Sequence, residues 1–135
     1  FTGRVYLVDD EPDILRSMAM LLRSWHCRTS TAVDANQATA LFESGGVPDL
    51  LIVDLRLQGP ENGPMLVERL QRTHGSFPVL VITGETASEL LRGATQAGWT
   101  LLYKPIAAET LRDALARVLP PLSGPATPPE DRAAR

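Results

Sequence analysis

Apolar residues gather in five short runs, at residues 5–8, 28–32, 50–53, 79–82 and 100–103, and a segment with helical spacing follows each. Three of the runs are apolar without alternation, as strands of a parallel sheet buried on both faces require. The run at 28–32, RTSTA, is polar and reads as an edge strand.

The intervening segments carry apolar stripes at helical spacing. Over 13–25, Ile14, Leu15, Met18, Leu21, Leu22 and Trp25 share one face while Arg16 and Arg23 look away. A helix over 35–43 follows Asp34, a good N-cap. One over 64–72 carries Met65, Leu66, Arg69 and Leu70, and one over 107–119 sets Leu111, Leu115 and Val118 in register. The segment 86–97 is the weakest, because Gly93 inside it costs about 1 kcal/mol relative to alanine. Five strand–helix units joined by short right-handed crossovers predict an α/β, (βα)5 flavodoxin-like doubly wound sandwich: a five-stranded parallel sheet with helices on both faces.

Composition sets the scale of this fold. The chain has 135 residues, 44% hydrophobic and 21% charged, enough for one domain with its own core. We read that domain as residues 1–119. Residues 120–135 hold five of the 11 prolines and few apolar side chains, the composition of a disordered tail or linker. A first residue other than Met suggests origin in a longer protein. No apolar run reaches the ~18–20 residues of a membrane span and no basic-then-apolar leader opens the chain, so the expectation is a cytoplasmic domain without direct membrane contact. One cysteine, Cys27, cannot form an internal disulfide, and with only His26 and His74 beside it a four-ligand zinc site is not supplied. A net charge of −3 leaves no basic footprint for nucleic acid.

One count stands out. The 13 basic residues are 12 arginines and a single lysine, Lys104. A coding bias toward arginine accounts for such a skew. The alternative is that Lys104 binds an oxygen anion in a crowded place, where a compact ammonium fits and a planar guanidinium does not.

In an open α/β sheet, chemistry gathers at the carboxyl ends of the strands. There the first run ends in Asp9, Asp10 and Glu11, the third in Asp54, the fourth in Thr83 and Gly84, and the fifth in Lys104 and Pro105. Carboxylates converging from separate strands repel one another unless a cation sits among them. Mg²⁺, which favours carboxylate and carbonyl oxygens and keeps open positions, meets that need. An Asp beside a metal, a Lys and a hydroxyl is equipped to attack phosphorus and hold an acyl phosphate. Asp54, standing alone after Leu51, Ile52 and Val53, is the candidate nucleophile, with Thr83 as hydroxyl donor and Gly84 leaving room. Glu11 reads as a solvated first-turn acid more readily than as a ligand. Arg56 and Glu85 flank the site. His26 and His74 lie away from the strand ends, Cys27 reads as a small buried hydrophobe, and Met20 interrupts the polar face of the first helix.

These residues stand in motifs, LVDDEP at 7–12, LIVDLRL at 51–57, VLVITG at 79–84 and LLYKPI at 101–106, that resemble the response-regulator receiver domain of two-component signalling. The resemblance covers about residues 4–119. It implies that Asp9 and Asp10 are the metal-binding acidic pair, Asp54 the phosphoacceptor and a metal ligand, and Arg56 the donor of a backbone carbonyl to Mg²⁺. Thr83 takes the place of the switch hydroxyl and Lys104 that of its paired lysine, with a cis Lys104–Pro105 bond. The texture of DLRLQGPENG, VITG and LLYKP is similar to receivers attached to hybrid sensor histidine kinases, which implies a histidine kinase or histidine phosphotransfer protein as partner and leaves a homodimer open.

Two positions depart from the family pattern. Leu101 stands where many receivers carry a switch aromatic, with Tyr103 next to the lysine instead, and the loop after Asp54 lacks the usual Met-Pro turn and reaches Gly63 one residue late. As an isolated domain such a chain catalyses only its own phosphotransfer and dephosphorylation and is not otherwise an enzyme. The alternatives are a stand-alone response regulator without output domain, a Mg²⁺-dependent phosphohydrolase working through an aspartyl phosphate, a flavin-binding module, and a receiver that no longer takes phosphate. The hydrolase lacks a second acid two residues past Asp54, where Arg56 stands, and the flavin module lacks a phosphate-cradling loop after the first strand.

Overall fold

The computed structural model describes residues 3–84 and 88–119. Five strands, β1 (Arg4–Val8), β2 (Arg28–Ala32), β3 (Leu50–Asp54), β4 (Val79–Thr83) and β5 (Thr100–Tyr103), alternate with five helices. The helices are α1 (Pro12–Ser24), α2 (Ala35–Gly45), α3 (Gly63–His74), α4 (Glu89–Gln96) and α5 (Ala108–Val118). All strand pairs are parallel, in the order β2-β1-β3-β4-β5, which makes the polar β2 an edge as its sequence requires.

Strand alternation splits the interior into two cores. Val5, Leu7, Leu50, Ile52, Leu80, Ile82 and Leu102 face α1 and α5, meeting Leu15, Met18 and Leu22 on one helix and Leu111, Ala114 and Leu115 on the other. Tyr6, Val8, Leu51, Val53, Val79 and Val81 face α2, α3 and α4, where Phe42, Leu66, Val67, Leu70 and Leu91 close over them. Every residue of β3 and β4 is buried, so the uninterrupted apolar runs are sheet centre, covered on both sides.

Helix ends show what the periodicity alone leaves open. Asp34 caps α2 by accepting from the Gln37 N–H at 2.8 Å, as expected of it. The fourth helix begins at Glu89, later than the spacing over 86–97 implies, because the Ser88 hydroxyl takes the Leu91 N–H at 3.0 Å and sets the N-cap. Thr86 and the flanking Glu85 lie outside the described residues, as do residues 120–135. In α3 the buried positions are Gly63, Leu66, Val67 and Leu70, an i, i+3, i+4, i+7 set, while Met65, expected on the apolar stripe, is exposed. The cause is Gly63 itself: a Cβ there would lie 2.3 Å from the Asp54 carbonyl oxygen, so the helix start packs directly on the site-bearing strand and fixes the helix's rotation.

His26 has a structural place as well. Its φ of 71° is left-handed, and the N–H groups of His26 and Cys27 close back on Arg23 and Leu22 at 3.0 and 3.1 Å, the double closure of a Schellman motif. Cys27 is buried as expected. No helix among the described residues is long and apolar enough to cross a membrane.

Candidate functional site

Alternation also sorts the candidate residues by face. Asp9 continues the parity of Val5 and Leu7, Asp54 that of Leu50 and Ile52, and Lys104 that of Leu102, so three strands deliver their charged groups to one side of the sheet at its carboxyl edge. Thr83 follows Val79 and Val81 with the opposite parity and is buried. Its carbonyl accepts the Lys104 N–H at 2.7 Å, which ties the ends of β4 and β5 together. The Lys104–Pro105 bond is cis.

Lys104 Nζ is the hub. It lies 2.7 Å from Glu11 Oε1, 3.2 Å from Asp54 Oδ2 and 3.4 Å from Asp9 Oδ2. Asp9 is fully buried, its Oδ1 accepting the Glu11 N–H at 2.9 Å, while Asp9 Oδ2 is buried without a hydrogen-bond donor. Asp54 Oδ1 accepts the Arg56 N–H at 3.3 Å. Asp10 points to the loop after β3, where its Oδ2 takes the Gln58 N–H at 3.0 Å. An open cavity of about 550 Å³ connects these groups, lined by Asp10, Glu11, Asp54, Arg56, Thr83 and Lys104 among others.

Burial and charge perturb the site in opposite directions. Burial, then the negative charge of Asp9, push the Asp54 carboxyl from 3.8 up to about 6, with Lys104 and the Arg56 N–H pulling the other way. Burial likewise raises Asp9 against its hydrogen bond from Glu11 and the Lys104 charge. For Lys104, burial disfavours the ammonium, but the Glu11 hydrogen bond and the charges of Asp54 and Asp9 outweigh it, and the group is held above the ordinary lysine range.

The arrangement therefore carries more negative than positive charge in a partly dry place. Asp9, Glu11 and Asp54 each present an oxygen within 4.8 Å of the others, and Asp9 Oδ2 is an unsatisfied buried acceptor. A hard divalent cation such as Mg²⁺ suits an oxygen-only set of this kind.

Of the residues expected at the strand ends, Asp10, Glu11, Asp54, Thr83, Gly84 and Lys104 line one cavity, and Asp9 is buried beside Lys104. Glu11 has a larger part than that of a solvated first-turn acid. Glu11 is the N-cap of α1, outside its first turn, and makes the shortest contact with Lys104. The loop after β3 is braced by a fork of two 2.8 Å hydrogen bonds from Arg69 to Glu61, with a third from Arg69 to the Thr39 hydroxyl. The Arg69 fork lowers the Glu61 carboxyl below its ordinary range. Leu101, at the position of the expected aromatic, packs half-buried on the α2–α4 side, and Tyr103 is half exposed.

Comparison with known proteins adds an independent finding. The profile of the response regulator receiver domain matches residues 5–116. The alginate biosynthesis transcriptional regulatory protein AlgB of Pseudomonas aeruginosa is 36% identical over 118 residues, covering 87% of this chain and 26% of that protein. The nitrogen assimilation regulatory protein NtrX of Azorhizobium caulinodans is 33% identical over 109 residues, 79% of this chain and 24% of that one. The chain thus spans about a quarter of the length of these relatives. Among solved structures, the receiver domain of NtrX from Brucella abortus superposes with a TM-score of 0.78 at 32% identity, covering 85% of this chain and 97% of that one. Vibrio cholerae chemotaxis protein CheY4 gives 0.77 at 29% identity, covering 88% and 100%.

Proposed function

The chain belongs to the response regulator receiver domain family, and from that premise we propose that Asp54 is a phosphoacceptor taking its phosphoryl group from a phosphohistidine on a sensor kinase or histidine phosphotransfer protein. One Asp54 oxygen attacks phosphorus, the P–N bond to the donor imidazole breaks, and the electron pair leaves with the imidazole nitrogen, which is then protonated. Water later cleaves the acyl phosphate and returns the carboxylate. The observation that carries this reading is Asp54 Oδ2 held 3.2 Å from Lys104 Nζ in the lining of an open cavity.

Each neighbour has a role that its placement supports. Lys104 neutralises a phosphoryl oxygen, and Thr83, reached from the next strand, donates its hydroxyl to another. By the family resemblance Asp9, Asp10, Asp54 and the Arg56 carbonyl would hold Mg²⁺; the carboxylates that converge here are Asp9, Glu11 and Asp54, while Asp10 accepts the Gln58 N–H. When bound, the cation supplies neutralisation of the carboxylates and of the incoming phosphoryl oxygens. Beside the site, α1 and Lys104, Pro105 and Ile106 line a hollow of about 290 Å³. Residues 1–119 form the receiver, and 120–135 a proline-rich tail or linker.

The setting of the receiver has two readings. The motif texture favours a module of a hybrid histidine kinase. The curated relatives, regulators about four times the length of the matched segment, favour the receiver of a response regulator. Both make the same chemical demand. Incubation with acetyl phosphate and Mg²⁺ should add the mass of one phosphoryl group, lost in Asp54→Ala; an Asp54→Ala chain that labels like the wild type overturns the assignment.

A further inference from the structure

Glu11 occupies the N-cap of α1, where a side-chain oxygen ordinarily accepts from the helix's first free N–H groups. It makes no such bond. Its carboxylate instead reaches Lys104, 93 residues away, at 2.7 Å, nearer than either Asp54 or Asp9.

The three carboxylates around Lys104 differ in how they are held. Asp9 is wholly buried and pinned through Oδ1 by the Glu11 N–H. Asp54 is nearly as buried at the end of the central strand, and it is the group that carries the phosphoryl in the reading above. The Glu11 side chain is 57% exposed, with a flexible stem and solvent to turn into. An ammonium has three N–H donors. Two of them are used, on Glu11 and Asp54, while Asp9 Oδ2 lies 3.4 Å away as a charge neighbour without a hydrogen bond. The shortest of these contacts holds the ammonium toward Glu11, so turning it onto a phosphoryl oxygen carried by Asp54 competes with Glu11, the one carboxylate free to leave.

We propose that Glu11 is a positioning residue that holds Lys104 in the resting site and is displaced from it when Asp54 is phosphorylated, so that the Glu11–Lys104 pair opposes the phosphorylated state. The proposal rests on Asp54 being the phosphoacceptor. It also differs from a role for Glu11 in cation binding, because a ligand's loss weakens the phosphorylated state and a competitor's loss strengthens it.

Beryllofluoride, a phosphoryl mimic, separates these outcomes when titrated into the full chain at saturating Mg²⁺. Lys104 is the chain's single lysine, so ¹⁵Nζ-labelled lysine gives one resonance that reports the contact directly. Glu11→Gln should bind beryllofluoride about fivefold more tightly than the wild type, the worth of one partly exposed ion pair. Its ¹⁵Nζ resonance should differ from the wild type's before the mimic is added, Glu11→Ala should behave alike, and the gain should vanish in the Lys104→Ala background. Equal or weaker binding by both Glu11 variants, or a gain that survives without Lys104, overturns the proposal while leaving the phosphoacceptor reading intact. A wild-type chain that does not bind the mimic, or an Asp54→Ala chain that binds it as well, overturns both.

Discussion

Replacing Asp54 with Asn should stabilise the metal-free fold at neutral pH, although it removes one partner of Lys104. The carboxyl of Asp54 is raised from 3.8 to about 6, so between those values the folded chain binds a proton that the unfolded chain has released. Stability therefore falls as pH rises through this window. At about 1.4 kcal/mol for each tenfold change in ionisation constant, the charged carboxylate costs the fold about 3 kcal/mol once pH exceeds 6. Lys104 keeps its 2.7 Å pair with Glu11 in the variant, so no cation is orphaned.

Urea unfolding in EDTA at pH 4, 5, 6 and 7.5 measures the effect. Trp25 packs on the α1–α5 core and Trp99 on the other, so tryptophan fluorescence follows both faces. The advantage of Asp54→Asn should be small at pH 4, grow steeply to pH 6, and level off near 3 kcal/mol, a midpoint shift of about 1–3 M urea. Mg²⁺ at a hundredfold excess over its dissociation constant should return about 2.7 kcal/mol to the wild type at pH 7.5 and much less to the variant. A gap that does not change with pH, or an Asn variant less stable than wild type at pH 7.5, refutes the reasoning.

Three further substitutions probe the frame around this carboxylate. Gly63→Ala places a methyl 2.3 Å from the Asp54 carbonyl oxygen and 3.1 Å from that of Leu55, backbone on both counts, and should cost about 1–3 kcal/mol in urea unfolding; wild-type stability would show that α3 is free to shift. His26→Gly relieves a left-handed φ of 71° at the close of α1 and should gain about 1 kcal/mol, seen as a raised Tm, whereas His26→Val should lose stability. Lys104→Arg conserves charge but offers a planar fork to oxygens at 2.7, 3.2 and 3.4 Å from one nitrogen, and should weaken beryllofluoride binding about as much as Lys104→Ala; binding close to wild type would contradict the need for a compact cation.

Much of the fold is legible in the chain because parallel strands buried on both faces leave no polar interruption, and β3 and β4 show none. The strand-end rule then places Asp9, Asp54, Thr83 and Lys104 at one rim of the sheet from their order in the chain alone. What escapes is rotation and reach. The turn of α3 about its axis follows from a Gly63 contact with the strand preceding it in the chain, which helical spacing does not encode, so Met65 reads as core and stands in solvent. Glu11 escapes for another reason. Beside Pro12 it has the look of a helix-start acid, and its engagement with Lys104 depends on how a residue 93 positions later is delivered by β5.

The lone lysine joins these strands of argument. An arginine bias in coding explains twelve residues and leaves the thirteenth unexplained. Its environment supplies the explanation: Asp9, Glu11 and Asp54 gather around one atom, Lys104 Nζ, with two of the carboxyls buried and raised. A cage that converges on a point selects a point charge, because a guanidinium would have to spread its donors across a plane that buried Asp9 and Asp54 leave no room to match. The same convergence makes the resting site unfavourable to itself. Formally three carboxylates face one ammonium, so each further positive charge is stabilising and each proton taken up by Asp54 relieves the strain. A cluster retained only to support the fold would be better replaced by neutral side chains. One that must receive a cation and then a phosphoryl group has reason to remain in this unbalanced state, and the stability gained on neutralising Asp54 measures how far from balance it is held.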